Sequence, residues 1–237
     1  MSTRVLVWED YPESADEWHE KHVAEVSTRL SAQSYHWESN IEPFQGLVPS
    51  LEDPFLTVYE VPNATDYEAV EQKTHVDAKT AASEPLKEAR FDTRCYTEVK
   101  RFESEDYAKE KANLGCLVVV TWQPKEDTKE EMFNWYFGEF MPELMKDPLI
   151  ISSVVYKRTH ATIFENGAYR PATPDEALDY MTVWESTCEE LPWEHLVELG
   201  QTEGWRKYLD EDTQWRIGQY SLNKSYPDTT AGATADT

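Results

Sequence analysis

The sequence FLTVYE at residues 55–60 recurs as YMTVWE at residues 180–185. A second pair follows in the same order and at almost the same spacing, with FDTRCY at 91–96 and WRIGQY at 215–220. These runs are rich in β-branched and aromatic residues, which favour strands. Self-similarity of this kind indicates that the chain contains two copies of one structural unit.

Each copy can be completed outward from its repeated strands. The runs VLVW at 5–8 and LVVVTW at 117–122 predict a buried first strand in each half. A proline-containing loop follows each run and ends in a capping box, which predicts a helix start. The two capping boxes are Ser14 with Glu17 and Thr128 with Glu131.

The first helix of each half carries large side chains at helical spacing, which predicts one inward face per helix. We place the second strands at 34–38 and 150–158, and the short second helices at 66–72 and 192–199. The inward faces are Trp18, His22, Val26 and Leu30 in the first half, and Met132, Tyr136, Phe140 and Leu144 in the second.

Both halves therefore have the order strand, helix, strand, strand, helix, strand, which is the ferredoxin-like βαββαβ arrangement. Helices cover one sheet face in such a unit, so the other face needs a partner. We predict an α+β fold in which two fused ferredoxin-like repeats pack sheet to sheet as an intramolecular α+β barrel, in a monomeric protein. The predicted boundaries are 1–102 and 114–226 for the repeats, 103–113 for a linker and 227–237 for a disordered tail.

The composition limits the partners. The chain has 46 acidic and 22 basic residues and a formal charge of -24. Such a field repels phosphate, so we expect no nucleic-acid partner and no anionic membrane surface. The 9 Trp, 13 Tyr and 8 Phe exclude a disordered acidic chain. We expect a cytoplasmic protein, because no apolar run approaches the roughly 20 residues of a membrane helix and the sequence begins without a signal-peptide pattern.

The first helix also carries a family pattern. In EthD-like domains this helix often reads Asp-Trp-Tyr-x-x-Glu-His-Ile-Pro, and the second half has NWYFGEFMP at 134–142, with Phe140 in place of the histidine. The first half has DEWHEKHVA at 16–24, which keeps the histidine as His22. The chain thus resembles the dimeric α+β barrel superfamily and, within it, fungal-type EthD-like proteins, as a tandem duplication.

The resemblance implies an architecture more than a reaction. Members of the superfamily include cofactor-free oxygenases, polyketide cyclases, isomerases, dehydratases and haem-handling enzymes. Their ligand cavities usually lie between the sheet and the helices of one half. A small organic substrate is therefore what the resemblance implies for this chain.

His22 is the first candidate for catalysis, since an imidazole on an inward helix face can exchange a proton near neutral pH. The alternative is a core histidine bonded to a backbone carbonyl. We expect Tyr96 to stabilise a developing enolate, and Asp10, or its neighbour Glu9, to orient His22. The expected substrate-binding residues are Trp8, Trp18, Tyr59, Phe140 and Tyr220.

Metal binding is not expected. His19 and His22 lie on adjacent helical turns, but no third ligand is marked in the sequence, and the predicted helix face places His19 on the polar side. The chain also lacks Gly-rich nucleotide-binding patterns, so no cofactor is expected. His75, His160 and His195 are interpreted as surface groups.

Three hypotheses remain open for function. The preferred one is a cofactor-independent enzyme that uses histidine-based proton transfer to cyclise, dehydrate or isomerise a hydrophobic carbonyl substrate, of the secondary or polyketide type. The second is a non-catalytic small-molecule binding protein. The third is a cofactor-free or haem-handling oxygenase.

Overall fold

The computed structural model describes residues 3–40, 49–51, 53–81 and 86–227. Long antiparallel strands form most of the framework, and short helices cover it. The strands are β1 (Thr3–Asp10), β2 (Gln33–Ser39), β3 (Phe55–Val61), β4 (Arg90–Glu103), β5 (Cys116–Pro124), β6 (Ile150–Glu165), β7 (Ala168–Pro171), β8 (Tyr180–Ser186) and β9 (Thr213–Tyr226).

The helices α1, α2, α5 and α7 lie at the expected positions, and α3, α4 and α8 are additional. A π-helical turn at Tyr136–Phe140 joins α5 to α6, and another at Arg206–Glu211 extends α8. None of the described helices is long and apolar enough to cross a membrane. The helices are α1 (Asp16–Leu30), α2 (Tyr67–Gln72), α3 (Ala78–Ala81), α4 (Tyr107–Glu110), α5 (Lys129–Trp135), α6 (Met141–Leu144), α7 (Trp193–Gly200) and α8 (Glu203–Trp205).

Eight of the strands close into a barrel. Their order is β4-β1-β3-β2-β9-β5-β8-β6, and β6 pairs back onto β4. Within each half the order is that of a ferredoxin-like sheet, and β2 with β9 makes the second junction between the halves. Strand β7 lies outside the closed ring, as a hairpin partner of β6. The predicted α+β barrel of two ferredoxin-like sheets is confirmed.

Strand alternation divides the core into an inner and two outer layers. In β1, Leu6 and Trp8 point into the barrel, where the inner faces of the two sheets meet. Val5 and Val7 point outward and pack under α1 with Val23. The second half has its own outer layer between its sheet and α5–α8. Each half therefore has a space between sheet and helix, and functional side chains can lie there or inside the barrel.

The helix starts lie close to the predicted places, but the capping boxes do not form. Ser14 lies in a 3₁₀ turn, Glu13–Ala15, and the N-cap residue of α1 is Ala15, which has no capping side chain. Thr128 is the N-cap residue of α5, yet its hydroxyl makes no capping hydrogen bond within the described helix. The 3₁₀ turn starts the first helical segment early and displaces Ser14 from the capping position.

The segment 103–113, predicted to be a solvated linker that could be helical, contains the last residue of β4, helix α4 and a 3₁₀ turn, Lys111–Asn113. Its Tyr107 is buried in the inner layer and donates a hydrogen bond to Glu185 at 3.0 Å. The predicted disordered tail falls, apart from Pro227, outside the described residues.

Candidate functional site

The structure separates the residues predicted to form one site. Trp8, Tyr96 and Tyr220 lie inside the barrel, and Asp10 is exposed at the end of β1. Phe140 lies in the outer layer of the second half. The remaining predicted residues, Trp18, His22 and Tyr59, come together around a small cavity in the outer layer of the first half.

His22 and Tyr96 therefore cannot act on one substrate, because they lie on opposite faces of the sheet. His22 Nε2 lies 3.0 Å from the carbonyl oxygen of Thr74, and its ring stacks on Trp18. Burial lowers the pKa of His22, although the bond to Thr74 opposes this. The cavity beside it has a volume of about 10 Å³, room for a water molecule at most.

A different group of polar side chains lies under α1. Glu9, His19 and His36 are buried, and their ligand atoms all lie within 4.8 Å of one another. His19 Nε2 is 2.9 Å from Glu9 Oε2 but lacks the alignment of a hydrogen bond, and no other described atom is a hydrogen-bond partner of this nitrogen. His36 Nδ1 is 3.6 Å from the same Glu9 oxygen. We call these three residues the His/Glu cluster.

Thr57 links two members of the cluster. Its hydroxyl donates to Glu9 Oε2 at 3.0 Å. The hydroxyl oxygen of Thr57 lies 3.1 Å from His36 Nδ1, so it accepts a hydrogen bond from the N–H group at that position. The chain of donors fixes the His36 tautomer, with the proton on Nδ1 and a free lone pair on Nε2.

The electrostatics follow from burial and proximity. Burial raises the pKa of Glu9, but the nearby imidazoles of His19 and His36 and the Thr57 hydrogen bond outweigh it, so the net pKa lies below its ordinary value. Burial lowers the pKa of His36 to about 4, against the opposing effect of Glu9. A charged carboxylate thus lies beside a neutral imidazole in a nearly dry environment.

A cleft of about 340 Å³ opens onto the cluster. His19 and His36 form part of its wall, beside the stacked rings of Tyr11 and Phe55, whose centroids are 5.0 Å apart. Residues at the end of β9 also line it, so the second half contributes to this cleft. The other lining residues are Glu13, Asp16, Glu20, Glu38, Asn223, Lys224 and Tyr226.

The helix phase explains why sequence analysis chose His22 over His19. The buried positions of α1 include His19, Val23, Val26 and Leu30, not Trp18 and His22 as predicted. Both sets have helical spacing, so periodicity alone does not choose between them. The expectation that His19 faces solvent is therefore wrong, and Glu9 and His36 from neighbouring strands lie beside it.

Two other histidines that were interpreted as surface groups, His75 and His160, lie beside a buried carboxylate. His75 Nε2 lies 3.3 Å from Glu71 Oε1 and 3.1 Å from the hydroxyl of Thr162. His160 Nε2 lies 3.3 Å from the other Glu71 oxygen. Glu71 is fully buried, so these histidines hold a buried carboxylate at the edge of the first outer layer.

The second half has apolar residues where the first has the cluster. Glu9 is opposite Phe55 and Trp122 is opposite Tyr180, which are matching repeat positions, so Trp122 takes the place of Glu9. By the same register, through Thr57 and Thr182, Val155 takes the place of His36. Polar residues at these two positions are thus confined to the first half.

The corresponding space of the second half is an apolar pocket of about 190 Å³. Trp122 Nε1 donates to Thr182 at 3.0 Å, and the Tyr136 hydroxyl is bonded to the same oxygen at 2.8 Å. Trp184 Nε1 is buried and has no hydrogen-bond partner in the described part of the chain. The lining residues are Val120, Trp122, Tyr136, Phe140, Trp184, Trp193, Leu196, Val197, Trp205, Leu209, Trp215 and Ile217.

Comparison with solved structures finds the same architecture elsewhere. An anthrone oxidase-like protein is similar over 94% of this chain and 92% of its own, with a TM-score of 0.58 and 9% identity. A mutant chlorite dismutase from Candidatus Nitrospira defluvii is similar over 93% of this chain and 91% of its own, with a TM-score of 0.54 and 11% identity. No protein-family model and no curated protein matches the sequence. These similarities show the fold alone, which is a ferredoxin-like α+β barrel.

Proposed function

We propose that the protein is an enzyme that transfers a proton to or from a small carbonyl compound bound in the cleft of the first half. The observation that supports this most is the hydrogen-bonded chain from His36 through Thr57 to Glu9 at the cleft wall. The catalytic role expected of His22 passes to His36 in this proposal. The EthD-like resemblance of α1, and the cytoplasmic location, stay predictions.

The chain of hydrogen bonds suits a base. Thr57 holds the Nδ1 proton of His36, which leaves the Nε2 lone pair free to take a proton from a bound molecule. Glu9, at the end of the chain, stabilises the imidazolium that then forms. His19, on the same wall, is placed to donate toward a substrate oxygen on which charge develops.

The cleft suits an uncharged or cationic molecule with a flat ring. Tyr11 stacks on His19 with centroids 4.7 Å apart, and a planar substrate extends such a stack. Carboxylates surround the opening and disfavour anions. Isomerisation, dehydration and cyclisation next to a carbonyl all need the same proton transfer, so the proposal covers that class of reactions.

Deuterium exchange tests this proposal with a panel of candidate substrates. The full chain is incubated in D₂O with uncharged aromatic ketones and lactones, and exchange at the carbon beside the carbonyl is read by proton NMR. We expect acceleration for some members, and a loss of at least about 100-fold in His36→Val. His195→Ala removes a histidine paired with Asp147 in the second half and serves as the control. No acceleration by the wild type, or equal rates in folded His36→Val, contradicts the proposal.

A second candidate function is binding without catalysis in the second-half pocket. Its lining is apolar, and Trp184 Nε1, which lacks a partner among the described residues, provides one donor for a ligand oxygen. Mass spectrometry of the native protein from its source tests this function. A retained apolar molecule that is lost in Trp184→Phe supports it, and a ligand-free protein argues against it.

The lining of the second-half pocket does not favour haem binding at that place. None of the described residues that line the apolar pocket is His, Cys or Met, which are common axial ligands of haem iron. Tyr136 is the remaining ligand type in the lining. Its hydroxyl is engaged with Thr182, and burial raises its pKa well above the ordinary value.

A further inference from the structure

We propose that the His/Glu cluster also binds a divalent transition-metal cation of the zinc type, through Glu9 Oε2, His19 Nε2 and His36 Nδ1. Two imidazoles and one carboxylate are a common ligand set for such ions. This inference rests on the proposed function for its place in the cleft, but its test does not depend on any reaction.

The two distances from Glu9 Oε2 to the histidine nitrogens are close to those of atoms that share one ion. Two ligand atoms about 2.1 Å from a cation are about 3.0 Å apart at a right angle and about 3.4 Å apart at the tetrahedral angle. Glu9 Oε2 lies 2.9 Å from His19 Nε2 and 3.6 Å from His36 Nδ1. All three ligand atoms lie within 4.8 Å of one another.

The hydrogen-bonding pattern leaves a place for a cation. His19 Nε2 is buried and faces a carboxylate oxygen at contact distance, and still it has no hydrogen-bond partner within the described ranges. An unpartnered buried nitrogen costs free energy, and a cation coordinated by both atoms removes that cost. Thr57 continues to donate to Glu9 when the cation is bound, as a residue that orients a ligand carboxylate.

The cation and the ring proton compete for the same nitrogen of His36, Nδ1. When the cation binds, Nδ1 coordinates it and the ring proton moves to Nε2, so the ring stays neutral. The cation then polarises a substrate oxygen in the open coordination position toward the cleft, as a Lewis acid. With Nε2 protonated, His36 does not act as the base in the cation-bound form, so the proton transfer proposed above belongs to the metal-free form of the cluster.

The second half provides an internal comparison. It has the same threonine position, Thr182, but Trp122 and Val155 stand where Glu9 and His36 stand in the first half. A buried carboxylate and a buried imidazole are costly replacements for apolar groups in an outer core. Their joint presence in only one half favours a ligand at that place over a general property of the fold.

The cleft that leads to the cluster is lined with acidic residues, which suits the entry of a cation. Glu13, Asp16 and Glu38 line the cleft that leads to His19 and His36. These carboxylates attract cations into the cleft without being part of the ligand set. Glu9 supplies the negative charge next to the ion, and its burial excludes competing water.

Metal titration of the full chain tests the inference. Protein freed of metal with EDTA is titrated with Zn²⁺ in calorimetry, and with Co²⁺ as a spectroscopic substitute. We expect one saturable site per chain, with visible Co²⁺ bands typical of nitrogen ligands in a low-coordinate site. His36→Val and Glu9→Gln each remove one ligand and are expected to weaken binding by at least about 100-fold, and Thr57→Val by about 10-fold.

The controls separate this site from the acidic surface. His195→Ala and His22→Ala leave the cluster intact, so both should bind like the wild type. Circular dichroism shows whether each variant is folded. If His36→Val does not fold, Glu9→Gln is the cluster variant used for the comparison. Absence of a saturable site, or equal binding by wild type and a folded cluster variant, overturns the inference. If the wild type binds the metal but does not accelerate deuterium exchange in its metal-free form, the proposed reaction alone is contradicted. If exchange occurs in EDTA and no metal site is found, the cation site alone is contradicted.

Discussion

Glu9 lies at the outer end of β1 with 3% of its surface exposed, and its surroundings determine what the site can do. An isolated carboxylate in such a place would take up a proton. Two histidines and the Thr57 hydroxyl around it instead keep its pKa low. Burial therefore keeps His36 neutral, and the imidazoles with the Thr57 hydroxyl keep Glu9 charged.

The Thr57→Val variant tests the role of the Thr57 hydroxyl. Valine has nearly the same shape but leaves Glu9 without a donor and His36 without an acceptor, so we expect a loss of about 1–3 kcal/mol in the free energy of unfolding and a large loss of exchange activity. Urea denaturation and the deuterium assay measure the two effects. Thr182→Val is the matched control in the second half, where Trp122 loses its acceptor and Tyr136 loses its hydrogen-bond partner. It should reduce stability and leave exchange intact; equal activity loss in both variants would refute the assignment.

Part of this site could be predicted at the residue level. The position of Glu9 follows from alternation in β1, since Val5, Val7 and Glu9 share a face. His36 could not be assigned in the same way, because β2 is polar and its register depends on pairing with β3. The His19 ring lies 4.5 Å from that of His36 and 4.7 Å from that of Tyr11. Such contacts between distant segments are invisible in a single sequence.

The elements themselves follow closely from local patterns. The apolar runs at 5–8 and 117–122 lie within β1 and β5, and the repeated FLTVYE and YMTVWE runs lie in β3 and β8. The phase of α1 does not follow, because two sets of large side chains have equal helical spacing. Packing against the sheet selects the set that includes Val23 and places Trp18 at the margin of the outer layer.

Two glycines in the helical cover of the second half give a prediction at the element level. A Cβ at Gly204 would clash with the indole ring of Trp135, so α8 can pack on α5 only without a side chain there. We expect Gly204→Ala to lower the free energy of unfolding by about 1–3 kcal/mol. Gly138 lies in a helical turn with no described atom within 4 Å of such a Cβ, so Gly138→Ala should be neutral or stabilising by up to about 1 kcal/mol. Equal effects in thermal unfolding would contradict this packing of α8 on α5.

At the scale of the whole molecule, Arg4 joins the two halves across the barrel interior. Its guanidinium nitrogen lies 2.6 Å from carboxylate oxygens of Glu60 and of Glu185, which are the same position in the two repeats. Tyr107 and Ser152 also donate to Glu185. The matching strands β3 and β8 thus share the buried guanidinium of Arg4. Because both sheets are paired within the chain, a monomer of 27.6 kDa is expected, and sedimentation velocity tests it.

This network predicts acid sensitivity. Burial raises the pKa of Glu185, but Arg4 and the hydrogen bonds outweigh it and bring the value to about 2, from an ordinary 4.5. A carboxyl with a depressed pKa stabilises the fold above its unfolded pKa and loses that contribution as pH falls toward the folded value. We expect the free energy of unfolding to fall by on the order of 3 kcal/mol from this group between about pH 5 and pH 2. Glu185→Gln should flatten the pH dependence of urea unfolding, whereas an unchanged slope would exclude Glu185 as its source.

We place the chemistry of the whole molecule in the first-half cleft, at the His/Glu cluster. The most direct measurement is a crystal structure of the His36→Val variant soaked with a compound that the wild type exchanges in the deuterium assay. We expect that compound in the first-half cleft, stacked beside Tyr11, with its carbonyl oxygen toward His19. Density only in the apolar pocket of the second half, beside Trp184, would contradict this assignment.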